Sequence, residues 1–284
     1  GFIDFVDIPF TKGWVQIKGE LAYGKFMDND FLRDHYNYYN QYITTDALYH
    51  HKSISFRSNP DKPFVVTIGA ELAAQFGGTK RYYEKGILID SLTMKSPTRL
   101  KDFFKILFPS SGDGQTNEGD QAYYYGNHVG QWNLSAEYRF KDNSSVRGYF
   151  EWYYDDASGM GKFNGWDGLW GLEYKSGKKN WLSNVVLEYL DMTNQSGPLN
   201  WCPSDYNEPK LDIEATGADD YYNNYFYNGW AHYGLSNGTA MAKSLLYNTD
   251  GYMRYKYNRI RGVHLGASGY IAPEWKYKIL PYIC

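Results

Sequence analysis

The stretch Asp219-Asp220-Tyr221-Tyr222-Asn223-Asn224-Tyr225-Phe226-Tyr227-Asn228-Gly229-Trp230 sets flat aromatic rings beside amides and carboxylates. That mixture suits carbohydrate. A ring covers the apolar C–H side of a sugar, while Asn and Asp bond its hydroxyls. Gly159-Met160-Gly161-Lys162-Phe163-Asn164-Gly165-Trp166-Asp167-Gly168 repeats the chemistry. The candidate polysaccharide contacts are therefore Tyr221, Tyr222, Asn223, Asn224, Tyr225 and Trp230 from the first stretch, and Asn164, Trp166 and Asp167 from the second. The competing reading is that these aromatics pack loops together and cap the fold.

Other motifs carry less. Gly234-Leu235-Ser236-Asn237-Gly238 has the nucleophile-elbow pattern, but no β–α alternation surrounds it and the later His264 lies within a strand pattern. Residues 113–120 alternate Asp113, Gln115 and Asn117 like a calcium loop, yet Glu118 and Tyr124 stand where an EF-hand needs Gly and Glu. His50 and His51 are adjacent, so a strand points them to opposite faces and they cannot share a metal. Glu151 with Asp155 or Asp156 could form a glycosidase carboxylate pair, although 32 acidic residues offer many such pairs. No catalytic residue, metal or cofactor is assigned.

The elements that would position these groups are strands. In residues 131–140, Trp132, Leu134, Ala136, Tyr138 and Phe140 alternate with Gln131, Asn133, Ser135, Glu137 and Arg139. Residues 14–26 and 64–76 alternate in the same way, and 146–154, 169–175, 181–190, 260–271 and 275–279 do so more loosely. Helical periodicity is weak, its best case being one short helix over 98–108. Tyr (30), Phe (15) and Trp (9) make the chain 19% aromatic. A net charge of -3 over 284 residues gives no electrostatic reason for a nucleic-acid partner. A mean hydropathy of -0.62 and the lack of a long apolar run exclude a membrane-spanning helix but not a membrane barrel, whose strands average to a hydrophilic sequence.

Short connections at 9–13, 58–62, 141–145, 176–180 and 272–274 alternate with long ones at 27–47, 77–130, 155–168 and 191–258. An up-and-down membrane barrel is built this way, with brief turns on one side and large loops on the other. We therefore expect an all-β, antiparallel up-and-down transmembrane β-barrel, one domain over 1–284, with about ten strands. Lys18, Glu20, Glu71, Glu137, Arg139 and Glu173 would line its hydrated lumen, and the apolar face would meet outer-membrane lipid. Such a lumen also admits a porin-like diffusion channel as an alternative function. Two cysteines, Cys202 and Cys284, cannot make a disulfide scaffold, and their state is left open.

Several stretches resemble the capsule-assembly Wzi family of Bacteroides-type bacteria. They are Ser158-Gly159-Met160-Gly161-Lys162-Phe163-Asn164-Gly165-Trp166-Asp167-Gly168-Leu169-Trp170-Gly171, Asn194-Gln195-Ser196-Gly197-Pro198, Gly217-Ala218-Asp219-Asp220-Tyr221-Tyr222-Asn223-Asn224 and Arg261-Gly262-Val263-His264-Leu265-Gly266. Ala73-Ala74-Gln75-Phe76-Gly77-Gly78 and Tyr125-Gly126-Asn127-His128 are similar to the same family. The resemblance implies an eighteen-stranded outer-membrane barrel with a periplasmic helical element. It also implies a lectin-like, non-enzymatic role in attaching or organising capsular polysaccharide, with other envelope proteins as further partners. The length departs from the family. Because the chain opens on Gly1 with no leader pattern, we expect either a processed or partial barrel or a smaller one closing with about ten strands.

Overall fold

The computed structural model describes residues 1–39, 41–122, 124–155, 158–161, 165–195 and 220–283. Its main element is an antiparallel meander. The strands run β1 (Phe2–Asp7), β2 (Val15–Lys25), β4 (Leu48–Ser58), β5 (Phe64–Phe76), β9 (Asn127–Arg139), β10 (Ser145–Asp155), β11 (Gly168–Lys175), β12 (Asn184–Asp191), β15 (Arg261–Ala272) and β16 (Trp275–Ile279), each beside the next. β17 (Tyr282–Ile283) returns to β15 beyond the end of β16. A second sheet holds β3 (Gln41–Thr45), β6 (Thr79–Glu84), β7 (Ile87–Leu88) and β8 (Met94–Lys95), and β13 (Ala231–His232) pairs β14 (Leu235–Ser236). Among the described residues three α-helices, α1 (Asn29–Tyr36), α2 (Leu100–Leu107) and α3 (Glu118–Ala122), lie in the long connections.

The all-β expectation holds, but closure does not. Among the described residues β1 pairs only β2, and β16 pairs only β15, so the sheet is open. Pro281 follows β16, and its carbonyl accepts the Leu265 N–H at 3.1 Å. Lacking an N–H, proline is tolerated at such a sheet edge. The alternation of connections is reproduced. Because successive strands are antiparallel, every short turn falls at one end of the sheet and every long connection at the other.

The registers sort side chains onto two faces. One face carries Ile17, Phe56, Ile68, Leu134, Phe150, Trp170 and Tyr189 in a single cross-strand row. The next row toward the short turns holds Val66, Ala136, Gly148, Leu172, Leu187 and Leu265. Many of these remain open: Ile68 is 51% exposed, Leu172 53% and Leu187 49%. Exposed aromatics mark the short-turn end (Phe64, Tyr138, Tyr174), and a second group, with Trp152 stacked on Trp166 at 4.8 Å, lies toward the long connections. β5 and β9 have 13 residues each, and β2, β4 and β10 have 11, which is enough to cross a bilayer when tilted.

The opposite face is divided. Its half near the short turns is charged, with Arg147 and Lys175 pairing Glu173, and Arg139 pairing Glu137. Its other half turns apolar through Tyr49, Ala73, Val129, Tyr153, Leu169 and Leu190. Against it pack Leu32 and Tyr36 of α1, Ile43, Tyr83, Tyr221, Tyr222, Trp230, Leu245 and Tyr255. This is the principal core. The long connections thus fold down over one half of the polar face.

Candidate functional site

The register of five strands builds a polar floor beneath those connections. Glu20 faces Ser53, Ser53 faces Glu71, Glu71 faces Gln131, and Gln131 faces Tyr153, so all five lie in one row. Ser53 leaves space between the two glutamates. One row further on, His51 sits between Ala22 and Ala73. It leans into that space, with Nε2 2.8 Å from Glu71 Oε1 and Nδ1 3.3 Å from Glu20 Oε1. Only an imidazolium donates from both nitrogens, so this arrangement suits a charged ring held by two carboxylates.

The roof comes from the connection between β12 and β15. Asp220 accepts from the Asn223 side chain at 3.1 Å and the Asn258 side chain at 2.7 Å, and pairs Arg254. Burial alone would raise Asp220, but these donors overcome it and hold its carboxyl below the ordinary range. The locked turn presents Tyr221 and Tyr222. Tyr222 has φ 72°, a conformation unfavourable for a bulky residue, and its carbonyl accepts from the Trp230 N–H at 3.0 Å. Gly229 (φ +67°) closes that turn, and a Cβ there would meet the Tyr222 carbonyl oxygen at 2.8 Å. Burial drives the Tyr222 phenol well above its ordinary pKa, so it stays neutral.

Floor and roof enclose a cavity of about 730 Å³. Glu20, His51, Glu71, Gln131 and Tyr153 line it from the sheet, and Tyr221, Tyr222, Trp230, His232, Asn237 and Thr239 from the connection. The Trp230 indole N–H is buried and has no protein partner among the described residues. Such a group costs about 1–3 kcal/mol unless something accepts from it. The cavity offers aromatic faces, two carboxylates and two amides. That is a set for binding a polyhydroxylated molecule.

The expected contacts are divided by the structure. Tyr221, Tyr222 and Trp230 are 2%, 6% and 3% exposed, so they are roof and core rather than outward-facing contacts. Asn223 and Asn224 spend their side chains on local turns: Asn223 on Asp220 and the Tyr255 carbonyl, Asn224 on the N–H groups of Phe226 and Tyr227. Tyr225 is exposed beside Tyr42, away from the cavity. Trp166 lies against Trp152 at the apolar face, and Asp167 is fully buried, accepting from Asn194 at 2.9 and 3.1 Å. Asn164, Asp156, Cys202 and Cys284 lie outside the described residues. Lys18, Glu20, Glu71, Glu137, Arg139 and Glu173 share the polar face of the open sheet. Glu151 is on that face with Tyr153 donating to it at 3.2 Å, whereas Asp155 is 7% exposed.

His51 and Tyr153 were not legible as site residues. The available signal was the rule already applied to His50 and His51: opposite faces put His51 among the glutamates and His50 on the apolar side. No family model, curated protein or solved structure matches this chain.

Proposed function

We propose that the chain forms the wall of an outer-membrane β-barrel and holds units of a surface polysaccharide, of the capsular type, in the cavity beneath its long connections. It binds without altering the sugar. The observation that carries the binding reading is the cavity itself, whose aromatic roof faces a floor of carboxylates and amides. Tyr221 and Tyr222 offer a sugar ring surface, and Glu20, Gln131 and Asn237 offer partners for its hydroxyls. Weak single contacts suffice, because a polymer presents many repeats at high effective concentration. The membrane reading is supported by the uncovered apolar face, its aromatic margins and the sorting of connections to opposite ends. The resemblance to the Wzi family agrees with both.

The test is binding of purified capsular polysaccharide to protein in detergent micelles. Gln131→Ala removes an amide from the floor and is expected to weaken affinity about tenfold, a loss of ~1.4 kcal/mol. Glu20→Gln and Asn237→Ala together should weaken it further. Unchanged affinity in all of these would refute the site. A diffusion channel is the second reading, favoured by the charged half of the polar face that the connections leave uncovered.

A further inference from the structure

Helix α2 lies on the apolar face of the sheet, although it belongs to a connection that also covers the polar one. Phe103 packs against Tyr23 at 5.5 Å and Phe76 at 5.2 Å, and Ile106 is fully buried beside Ala74 and Phe76. Beneath the helix end, Lys52 occupies an apolar-face position opposite Leu21 and Leu72. Its ammonium donates to the carbonyls of Ile106, at 2.9 Å, and Leu107. A lysine on that face is satisfied by the negative end of the helix.

The side of α2 turned away from the sheet is also apolar. Leu100, Phe104 and Phe108 recur every fourth residue and are 76%, 55% and 69% exposed. A helix bounded by water would place polar groups there. Alongside run Lys101 and Lys105, which share the single carboxylate of Asp113 with Arg99. Hydrogen bonding from Lys101 above all holds that carboxyl well below its ordinary range. Arg99 also engages the buried Asp102. Three cations thus face two carboxylates beside an open apolar ridge.

We propose that α2 is an interfacial helix, seating Leu100, Phe104 and Phe108 in the margin of the bilayer while Lys101 and Lys105 reach anionic lipid headgroups. The occupant is lipid because the ridge continues the uncovered apolar face of the sheet and is flanked by basic side chains long enough to snorkel. Lys52 marks the level at which the apolar band of the sheet ends and the helix takes over. The inference rests on the membrane reading given above and adds a lipid-contacting element outside the strands.

The experiment places a nitroxide at Phe104→Cys, and separately at Leu172→Cys, in a background carrying Cys202→Ser and Cys284→Ser. The protein is reconstituted in vesicles of phosphatidylcholine and phosphatidylglycerol. Power saturation compares access by oxygen with access by a water-soluble nickel chelate. Both labels are expected to favour oxygen, with residue 104 shallower than 172. Lys101→Gln with Lys105→Gln, or vesicles of phosphatidylcholine alone, should raise nickel access at 104 about fivefold. Oxygen access at 172 with nickel access at 104 overturns the helix assignment and leaves the membrane reading intact. Nickel access at both sites overturns both. Exclusion of both reagents at 104 means that protein, such as a second copy, covers the ridge, and overturns the lipid assignment. Oxygen access at 104 that ignores lysine removal and lipid charge overturns the headgroup contact.

Discussion

Ile68→Arg separates a lipid-facing sheet from a water-facing one. Ile68 is 51% exposed, between Phe56 and Leu134 on the neighbouring strands. Phe64 stands four residues toward the short turns and Leu72 four toward the long connections. At about 3.3 Å per residue and a tilt of about 45°, four residues span roughly 9 Å along the membrane normal. Ile68 then lies near the middle of an apolar band about 25 Å tall. An arginine at that depth costs about 2–4 kcal/mol, which lowers the folded-to-unfolded ratio about thirtyfold or more. The same change at an exposed position in water stays within about 0.5 kcal/mol. The assay is reversible guanidinium unfolding from vesicles, followed by tryptophan fluorescence. The matched control is Ser135→Arg, one residue beyond Leu134 and on the opposite, polar face. Ile68→Arg should lower stability by at least about 2 kcal/mol more than the control. Equal effects of the two would refute the assignment of faces.

Three further outcomes are expected. Asn228 accepts the Thr44 N–H at 2.8 Å and donates to the Thr44 carbonyl at 2.5 Å, so Asn228→Ala strands two buried backbone groups and should cost about 2–4 kcal/mol in thermal or denaturant unfolding. Lys80 is fully buried, and that burial depresses its pKa to about 8 from 10.5. The unfolded chain binds the extra proton between those values, so stability should rise as pH climbs from 8 towards 10, and Lys80→Met should flatten that rise in thermal midpoints. Because the connections cover half of the polar face, planar-bilayer recordings should show no stable open current, and steady charge-selective conductance would favour the channel.

Much of the sheet was legible because alternation survives wherever one face stays uncovered. β2, β5 and β9 follow their sequence patterns closely, and the expected helix over 98–108 is α2. β4 was hidden for a physical reason. Near the long connections its apolar-face positions are His50 and Lys52, tolerated because α2 lies over them and takes the lysine's hydrogen bonds. That substitution erases the alternating signal. The small sheet of β3 and β6–β8 sits inside segments expected to be irregular, since its strands pair across long separations and two of them have only two residues. The cavity was half legible. Its aromatic roof stands out in composition, but the floor depends on Glu20, Ser53, Glu71 and Gln131 meeting in one row, and register is a property of pairing rather than of any single segment.

The most direct test of the two-faced sheet is a nitroxide scan along β9 in reconstituted vesicles, from 132 to 138. Positions 132, 134, 136 and 138 should admit oxygen and exclude the nickel chelate, while 133, 135 and 137 should not be lipid-accessible. A scan in which Leu134 and Ala136 are open to the chelate, with no period of two, would contradict the account.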